Sequence, residues 1–233
     1  MKLLTDEYKQ VAALKALELV QDGMLVGLGS GTTARYFTEG LGRLVAGGLK
    51  VRGVPTSRAT AELAAGLGIP IVTELVGQID LTVDGADEVD PALNLIKGRG
   101  GALSREKLVA AASKRFVVVV DESKLVKQLG VGVLPVEVLA FLWRSTAERL
   151  TALGVSLVVR GGEEVPYVTD NGNLILDLSG NGGIDNPGDF GFELKKITGV
   201  VEHGLFVGMA HTVIVAGPEG PKAIGRLSGG AVA

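Results

Sequence analysis

The chain has no cysteine and only two histidines, His203 and His211. The first absence excludes disulfides, thiolate zinc sites and cysteine nucleophiles, and the second leaves a histidine-rich metal centre without ligands. No lysine- or arginine-rich stretch occurs and the formal net charge is -3, which argues against a nucleic-acid surface. No run approaches the roughly 18 uninterrupted apolar residues of a membrane-spanning helix. The opening MKLLTDEYKQ mixes acid and lysine where a secretory leader would be apolar, so a soluble, cytoplasmic protein is expected.

What is present is a core. Hydrophobic residues make up 46% of the 233 residues and charged residues 21%, enough for one large domain or two modest ones. Residues 7–20, EYKQVAALKALELV, place Val11, Leu14 and Leu17 on one helical face, with Thr5 or Asp6 as cap and Gly23 beyond the end. Strand and helix patterns then alternate: MLVGLG, TTARYFTEGLGRLVA, LKVRGVP, SRATAELAAGLG, IPIVTEL, LTVDGAD, SREKLVAAAS and FVVVVD. That alternation predicts βαβ units and a mainly parallel sheet with helices on both faces. FVVVVD, apolar until its last residue, reads as a central strand.

The pattern changes near residue 130. VGVLPVEVL reads as a strand placed at an edge by Pro135, AFLWRSTAERLTALG as an amphipathic helix, and VSLVVR, EVPYVTD and NLILDLS as strands, with a hairpin turn at Asn171-Gly172. DFGFELKKITGV reads as a short helix and LFVGMAHTVIVAG as a strand. The expected division is an α/β domain over 1–129 and 207–233, and a smaller α+β, ferredoxin-like domain over 130–206. The chain returns to the first domain with Met209–Ala216, and PEGPKAIGRLSGGAVA carries little pattern.

GLGSGTTA, Gly27–Ala34, joins a strand to a helix. It fits G-x-G-x-x-G/A, but the acid that a dinucleotide site needs about 20 residues on is missing, and no lysine follows as in a P-loop. A general anion site remains, with helix N-terminal N–H groups and hydroxyls from Ser30, Thr32 and Thr33. VDGADEVD then places Asp84 and Asp87 beyond a strand end, where open α/β sheets bind ligands. A solvated Asp-Gly turn and a magnesium site are the alternatives. KGRGGALSREK alternates Lys97 and Arg99 with Gly98, Gly100 and Gly101. Ser104 is a plausible N-cap that puts Glu106 in the first turn of a helix. DESKLV puts Lys124 just past FVVVVD. All four loops are expected on one sheet edge.

GLGSGTTA, VDGADEVD, KGRGGALSREK and DESK, in this order and spacing, resemble ribose-5-phosphate isomerase type A over nearly the whole chain. DGADEVD and KGRGGALSREK are the specific motifs of that likeness. It implies a Rossmann-like α/β domain and interconversion of D-ribose 5-phosphate and D-ribulose 5-phosphate in the pentose phosphate pathway. It also implies no metal or organic cofactor and a homodimer or homotetramer. By resemblance, Ser30, Gly31, Thr32 and Thr33 meet the phosphate, with Lys124 and Lys9 nearby. Asp84, Asp87 and Lys97 face the reacting end of the sugar, flanked by Gly85, Ala86, Gly98, Arg99 and Gly100, and Glu106 is the catalytic base. Arg99 stands where the family pattern favours a small residue, which points to its backbone. The rival readings are a sugar-phosphate-sensing regulatory domain, for which a helix-turn-helix has no room before the first strand, and a metal-dependent phosphohydrolase using Asp84 and Asp87.

Overall fold

A computed structural model describes residues 2–74, 77–180 and 182–225. In chain order its elements begin with α1 (Lys2–Leu17), β1 (Leu25–Leu28), α2 (Thr32–Ala46), β2 (Arg52–Pro55), α3 (Arg58–Gly66) and β3 (Leu81–Asp84). They continue with β4 (Glu88–Val89), β5 (Leu95–Ile96), α4 (Leu103–Ala111), β6 (Phe116–Asp121), a 3-10 turn (Glu122–Lys124) and β7 (Leu134–Val138). The last are α5 (Trp143–Thr151), β8 (Ser156–Val159), β9 (Leu174–Ser179), α6 (Pro187–Lys196), β10 (Val200–His203), β11 (Leu205–Phe206), β12 (Thr212–Gly217) and β13 (Gly220–Gly225). Contacts divide the chain into two units. The first comprises the described parts of Met1–Ala86, Arg105–Lys124 and Met209–Ala233, the second those of Asp87–Ser104 and Leu125–Gly208.

The first unit is built on a six-stranded sheet in the order β13-β12-β6-β3-β1-β2. Every neighbouring pair is parallel except β12 with β13. All six residues of β6 are buried, as a strand flanked on both edges and both faces requires. Alternation along β1 shows how the faces are used. Val26 and Leu28 enter a core with Phe37 and Leu41 of α2 and the alanines of α1, whereas Leu25 packs on the other face with Ile79 and Val109 of α4.

In α1 the buried stripe is Ala12, Ala13 and Ala16, not Val11 and Leu14, which stay more than a third exposed. Small residues let the helix lie close to the sheet, and Leu14 and Leu17 instead reach over Gly40 of α2. Thr5 and Asp6 are no caps, because α1 already starts at Lys2. IPIVTEL forms no strand among the described residues. It offers one bridge, Gly53 with Ile71, and its Leu75 lies outside the described residues. The apparently patternless tail supplies β13, an antiparallel edge beside β12.

The second unit holds β7-α5-β8-β9-α6-β10, with an antiparallel sheet ordered β10-β7-β9-β8. This is the ferredoxin-like βαββαβ arrangement. Its core includes Val136, Val138, Leu150, Leu174, Leu176 and Leu194. EVPYVTD contributes only a bridge between Val168 and Leu174, and the turn at Asn171-Gly172 closes there, with Gly172 at φ 79. LFVGMAHTVIVAG splits into β11 and β12. β11 joins β5 and β4 in a separate three-stranded antiparallel sheet, which is why residues 87–104 belong to this unit and not to the first.

Pro135 is not on an edge strand, since β7 pairs on both sides. A proline is tolerated because the β10 ladder ends beside it. Gly204 N–H donates to the Pro135 carbonyl at 2.8 Å, and the return bond that proline cannot make is replaced by Lys97 N–H, which donates to the Gly204 carbonyl at 2.9 Å.

Candidate active site

In the first unit β1, β3 and β6 are parallel neighbours, so the loops after them leave from the same sheet edge. The loop after β1 and the end of β3 are locked together. Asp84 is 1% exposed, and its Oδ1 accepts N–H bonds from Ser30 at 3.1 Å and Gly85 at 2.7 Å. Gly29 has to be glycine, because a Cβ there would lie 2.2 Å from Asp84 Oδ1.

Ser30, counted from the sequence among the phosphate donors, is occupied internally. Its hydroxyl contacts those of Thr56 at 2.7 Å, Ser57 at 2.8 Å and Thr60 at 3.2 Å. Thr56 and Thr60 give their own protons to the carbonyls of Leu28 and Gly29, so the one Ser30 proton is spent inside this cluster. The open donors at this loop are those of the α2 start. Gly31, at φ 86, is the N-cap and has no side chain with which to cap the helix, so among the described residues the first-turn N–H groups of Thr32 and Thr33 keep no capping acceptor. A hollow of about 490 Å³ opens beside them, lined by Gly31, Thr32, Arg35, Ser57 and Thr60 among others.

Lys124 ends the 3-10 turn after β6 and has no ion pair among the described residues. Lys9, on α1, is paired with Asp6 at 2.9 Å. Asp121, which the sequence reading passed over inside DESK, is 2% exposed. Its Oδ1 accepts from the N–H of Ser123 at 3.0 Å and from the Ser123 hydroxyl, and its buried Oδ2 has no hydrogen-bond partner among the described residues. The strand-end rule that selected Asp84 applies equally to Asp121.

α4 begins in the second unit and continues in the first. Glu106 lies in its first turn and is 4% exposed. Ser104 is not the cap: α4 starts at Leu103, and the Ser104 hydroxyl donates instead to the buried carboxylate of Glu137.

In the second unit DEVDPALNLI is a hairpin, not a solvated turn. Glu88 and Val89 pair with Ile96 and Leu95. Asp90 closes the turn by accepting the N–H of Asn94 at 2.8 Å and its side-chain amide at 2.9 Å. Asp87 Oδ2 accepts the N–H of Arg99 at 3.0 Å. Glu88 sits in a nest of N–H groups from Gly130, Val131 and Gly132. The Arg99 side chain turns to these acids, 3.7 Å from Glu88 and 4.0 Å from Asp87. Lys97 follows β5 of the small sheet, so it does not leave a strand of the main sheet as expected. It is 3% exposed, with Nζ 5.5 Å from the centre of the Phe206 ring. Gly98, at φ 105, starts the turn that Gly100 and Gly101 complete, closed by Gly101 N–H to the Gly98 carbonyl at 3.0 Å. A separate cavity of about 310 Å³ in this unit, lined by Leu134, Val155, Leu178 and Phe190 among others, contains none of the motif residues.

A mainly parallel sheet with carboxylates, a lysine and a helix start at its strand ends defines a Rossmann-like α/β protein with a candidate anion-binding edge. A family model described as ribose 5-phosphate isomerase A (phosphoriboisomerase A) matches residues 52–220. A ribose-5-phosphate isomerase A of Nitrobacter hamburgensis is 50% identical, covering 95% of this chain and 98% of its own. A probable ribose-5-phosphate isomerase 2 of Arabidopsis thaliana is 47% identical, covering 95% and 88%. The solved ribose 5-phosphate isomerase of Plasmodium falciparum superposes with a TM-score of 0.91 at 39% identity, covering 95% and 99%. A D-ribose-5-phosphate isomerase solved in complex with phospho-erythronic acid gives 0.90 at 42%, also covering 95% and 99%. The chain belongs to the ribose 5-phosphate isomerase A family.

Proposed function

We propose that the protein interconverts D-ribose 5-phosphate and D-ribulose 5-phosphate through an enediolate, with Glu106 as the base. The observation that carries this reading is burial. Asp84, Lys97 and Glu106, three of the charged residues in the two most specific motifs, are 1%, 3% and 4% exposed, and a charged side chain is rarely buried so fully unless specific partners are built around it. Family membership supports the same reading. Phospho-erythronic acid, held by one relative, has a phosphate and a planar carboxylate, groups that match the phosphate and the enediolate of this reaction.

The Glu106 carboxylate takes the proton from C2 of the open-chain aldose, and the C–H electron pair forms the C1–C2 double bond of the enediolate. The same carboxylic acid returns the proton to C1. The Lys97 ammonium offsets the negative charge that develops on oxygen. Asp84 or Asp87 moves protons between O1 and O2 and assists opening of the furanose ring, with the backbone of Gly85, Ala86, Gly98, Arg99 and Gly100 along the sugar. The phosphate is held by Gly31, Thr32 and Thr33 at the α2 start and by Lys124, with Lys9 a further cation. Ser30 holds that loop in shape from within. The protein acts in the pentose phosphate pathway, in the cytoplasm, as a homodimer or larger homo-oligomer.

The test is formation of ribulose 5-phosphate from ribose 5-phosphate in EDTA, with wild type and Glu106→Gln side by side. Loss of about 10²–10⁴-fold in the variant is expected. No turnover by folded wild type, in EDTA or with added magnesium, rejects the isomerase reading. Turnover only with magnesium favours the metal-dependent alternative.

A further inference from the structure

We propose that Arg160 is a positioning residue for Lys97, holding the glycine loop that carries it; the inference rests on the isomerase reading given above. Arg160 lies outside every motif of the sequence. It follows β8 directly, and its N–H donates to the Ile175 carbonyl at 3.0 Å, so its backbone continues the ladder with β9. Its guanidinium is then fixed by Asp177 of β9. Nε donates to Asp177 Oδ2 at 2.9 Å and Nη2 donates to Oδ1, the two-pronged geometry that arginine and carboxylate share. With the plane set in this way, Nη1 donates at 3.0 Å to the carbonyl of Gly98 and at 3.0 Å to that of Arg99.

Two successive carbonyls converge on one cation, with Gly98 at φ 105, and without that cation the two carbonyl dipoles repel. The loop has several glycines and no regular ladder of its own beyond Ile96, so Arg160 supplies the fixed point that its composition lacks. Tyr167 lies on the same side. It stacks 6.0 Å from the Arg160 guanidinium, and a Cβ on Gly101 would lie 2.3 Å from its hydroxyl. On the other side Lys97 is held by its N–H to Gly204, the bond made available by Pro135. A Cβ on Gly204 would come within 2.3 Å of the Lys97 carbonyl oxygen. The Lys97 backbone is therefore fixed at its own N–H and, one residue later, by Arg160. All three kinds of guanidinium nitrogen are engaged within the protein and the side chain is 16% exposed. Arg160 acts through the loop and not on substrate.

The test compares wild type, Arg160→Ala, Arg160→Lys, Lys97→Ala and the double variant Arg160→Ala/Lys97→Ala, with kcat and KM measured separately and the fold followed by circular dichroism. Displacing a catalytic group by about 1 Å costs on the order of 10²-fold, so kcat of Arg160→Ala is expected to fall about 10- to 100-fold while KM barely moves. In the Lys97→Ala background the same substitution is expected to change kcat no further, because the residue being positioned is gone. Arg160→Lys keeps the charge and the fold but cannot reach two carbonyls and a carboxylate together, and is expected to lower kcat in the same direction. It carries the test if Arg160→Ala does not fold. Unchanged kcat in the folded Arg160 variants, or an equal further loss in the Lys97→Ala background, overturns the role of Arg160 while leaving the isomerase reading intact. Absence of turnover in wild type overturns both.

Discussion

Glu137 offers the sharpest test of how the second unit holds the start of α4. Its carboxylate is wholly buried. Oε1 accepts from the Thr169 hydroxyl at 2.9 Å and from the side-chain amides of Asn171 at 3.1 Å and Asn173 at 2.9 Å, while Oε2 accepts from the Ser104 hydroxyl. In Glu137→Gln the amide oxygen can take the place of Oε1 and keep its three donors. The amide nitrogen then meets Ser104, whose hydroxyl turns to accept. What is lost is the extra strength of a charged acceptor, partly offset by no longer burying a charge, and the net cost is about 1–2 kcal/mol. Glu137→Ala leaves the Ser104 and Thr169 hydroxyls, 6% and 5% exposed, with no acceptor. At about 1–3 kcal/mol for each, plus the void left by the side chain, it should cost about 3–6 kcal/mol. Urea unfolding followed by tryptophan fluorescence suits this measurement, because the one tryptophan, Trp143, opens α5 of the same unit. An Ala variant no less stable than the Gln variant would refute the hydrogen-bond reasoning. Since Ser104 is two residues before Glu106, the Gln variant should also lose kcat with little change in KM.

Three further outcomes follow from the geometry. Ser30→Ala should leave KM for the sugar phosphate almost unchanged and lower stability by about 0.5–1.5 kcal/mol, because the one proton of that hydroxyl is already given to Ser57; a KM rise of about tenfold with wild-type stability would return it to the phosphate site. Gly204→Ala should lower both stability and kcat, the former by about 1–3 kcal/mol, as the new methyl meets the Lys97 carbonyl; wild-type melting and turnover would contradict that contact. The Lys114 ammonium and the N–H of Leu25 hold the Asp80 carboxyl below its ordinary 3.8. A carboxyl with a lowered folded value stabilises above 3.8 and loses that contribution as pH falls through the lowered value. Asp80→Asn should therefore cost about 1 kcal/mol or less at pH 7, given the exposed Lys114, and melting curves of the two proteins should converge in acid; a gap that persists there would place the effect elsewhere.

The sheet was legible where burial on both faces writes long apolar strands, as in FVVVVD, and where a helix follows a glycine turn, as at Thr32–Ala46. The ferredoxin-like order was legible from the spacing of strands and helices. Three kinds of feature were not. Two-residue strands such as β4, β5 and β11 are too short to carry a period, so the hairpin inside the acid run was missed, and with it the membership of 87–104 in the second unit. Pro135 misled because the rule against proline assumes that its strand partner needs an N–H from it, whereas Lys97 supplies one from another sheet. Arg160 and Glu137 could not be found at all from sequence. An arginine after a strand and a glutamate within one look ordinary, and only their distant partners, 61 or 62 and 33 residues away, give them meaning.

The crowded acids of LTVDGADEVD show how one run can serve both architecture and chemistry. Four carboxylates within seven residues would repel if they faced one another, yet each has its own donors. Asp84 takes the Ser30 N–H of the glycine loop and that of Gly85, Asp87 takes Arg99 N–H, Glu88 takes three from residues 130–132, and Asp90 closes on Asn94. Glu88 and Asp90 bond mainly within a nest and a turn, so their replacement should register as lost stability. Asp84 and Asp87 instead bond to the two loops, 29–31 and 97–101, that carry the proposed phosphate donors and Lys97. In the proposed mechanism a carboxylate in that position has two jobs: it fixes a loop through one oxygen and would transfer protons through the other. Asn at either position keeps an acceptor for the loop but cannot ionise. The change from Asp to Asn therefore separates the two jobs, lowering kcat where Ala would disorder the loop as well; equal losses for Asn and Ala would show that only the chemical job exists, and a wild-type rate for Asn that only the architectural one does.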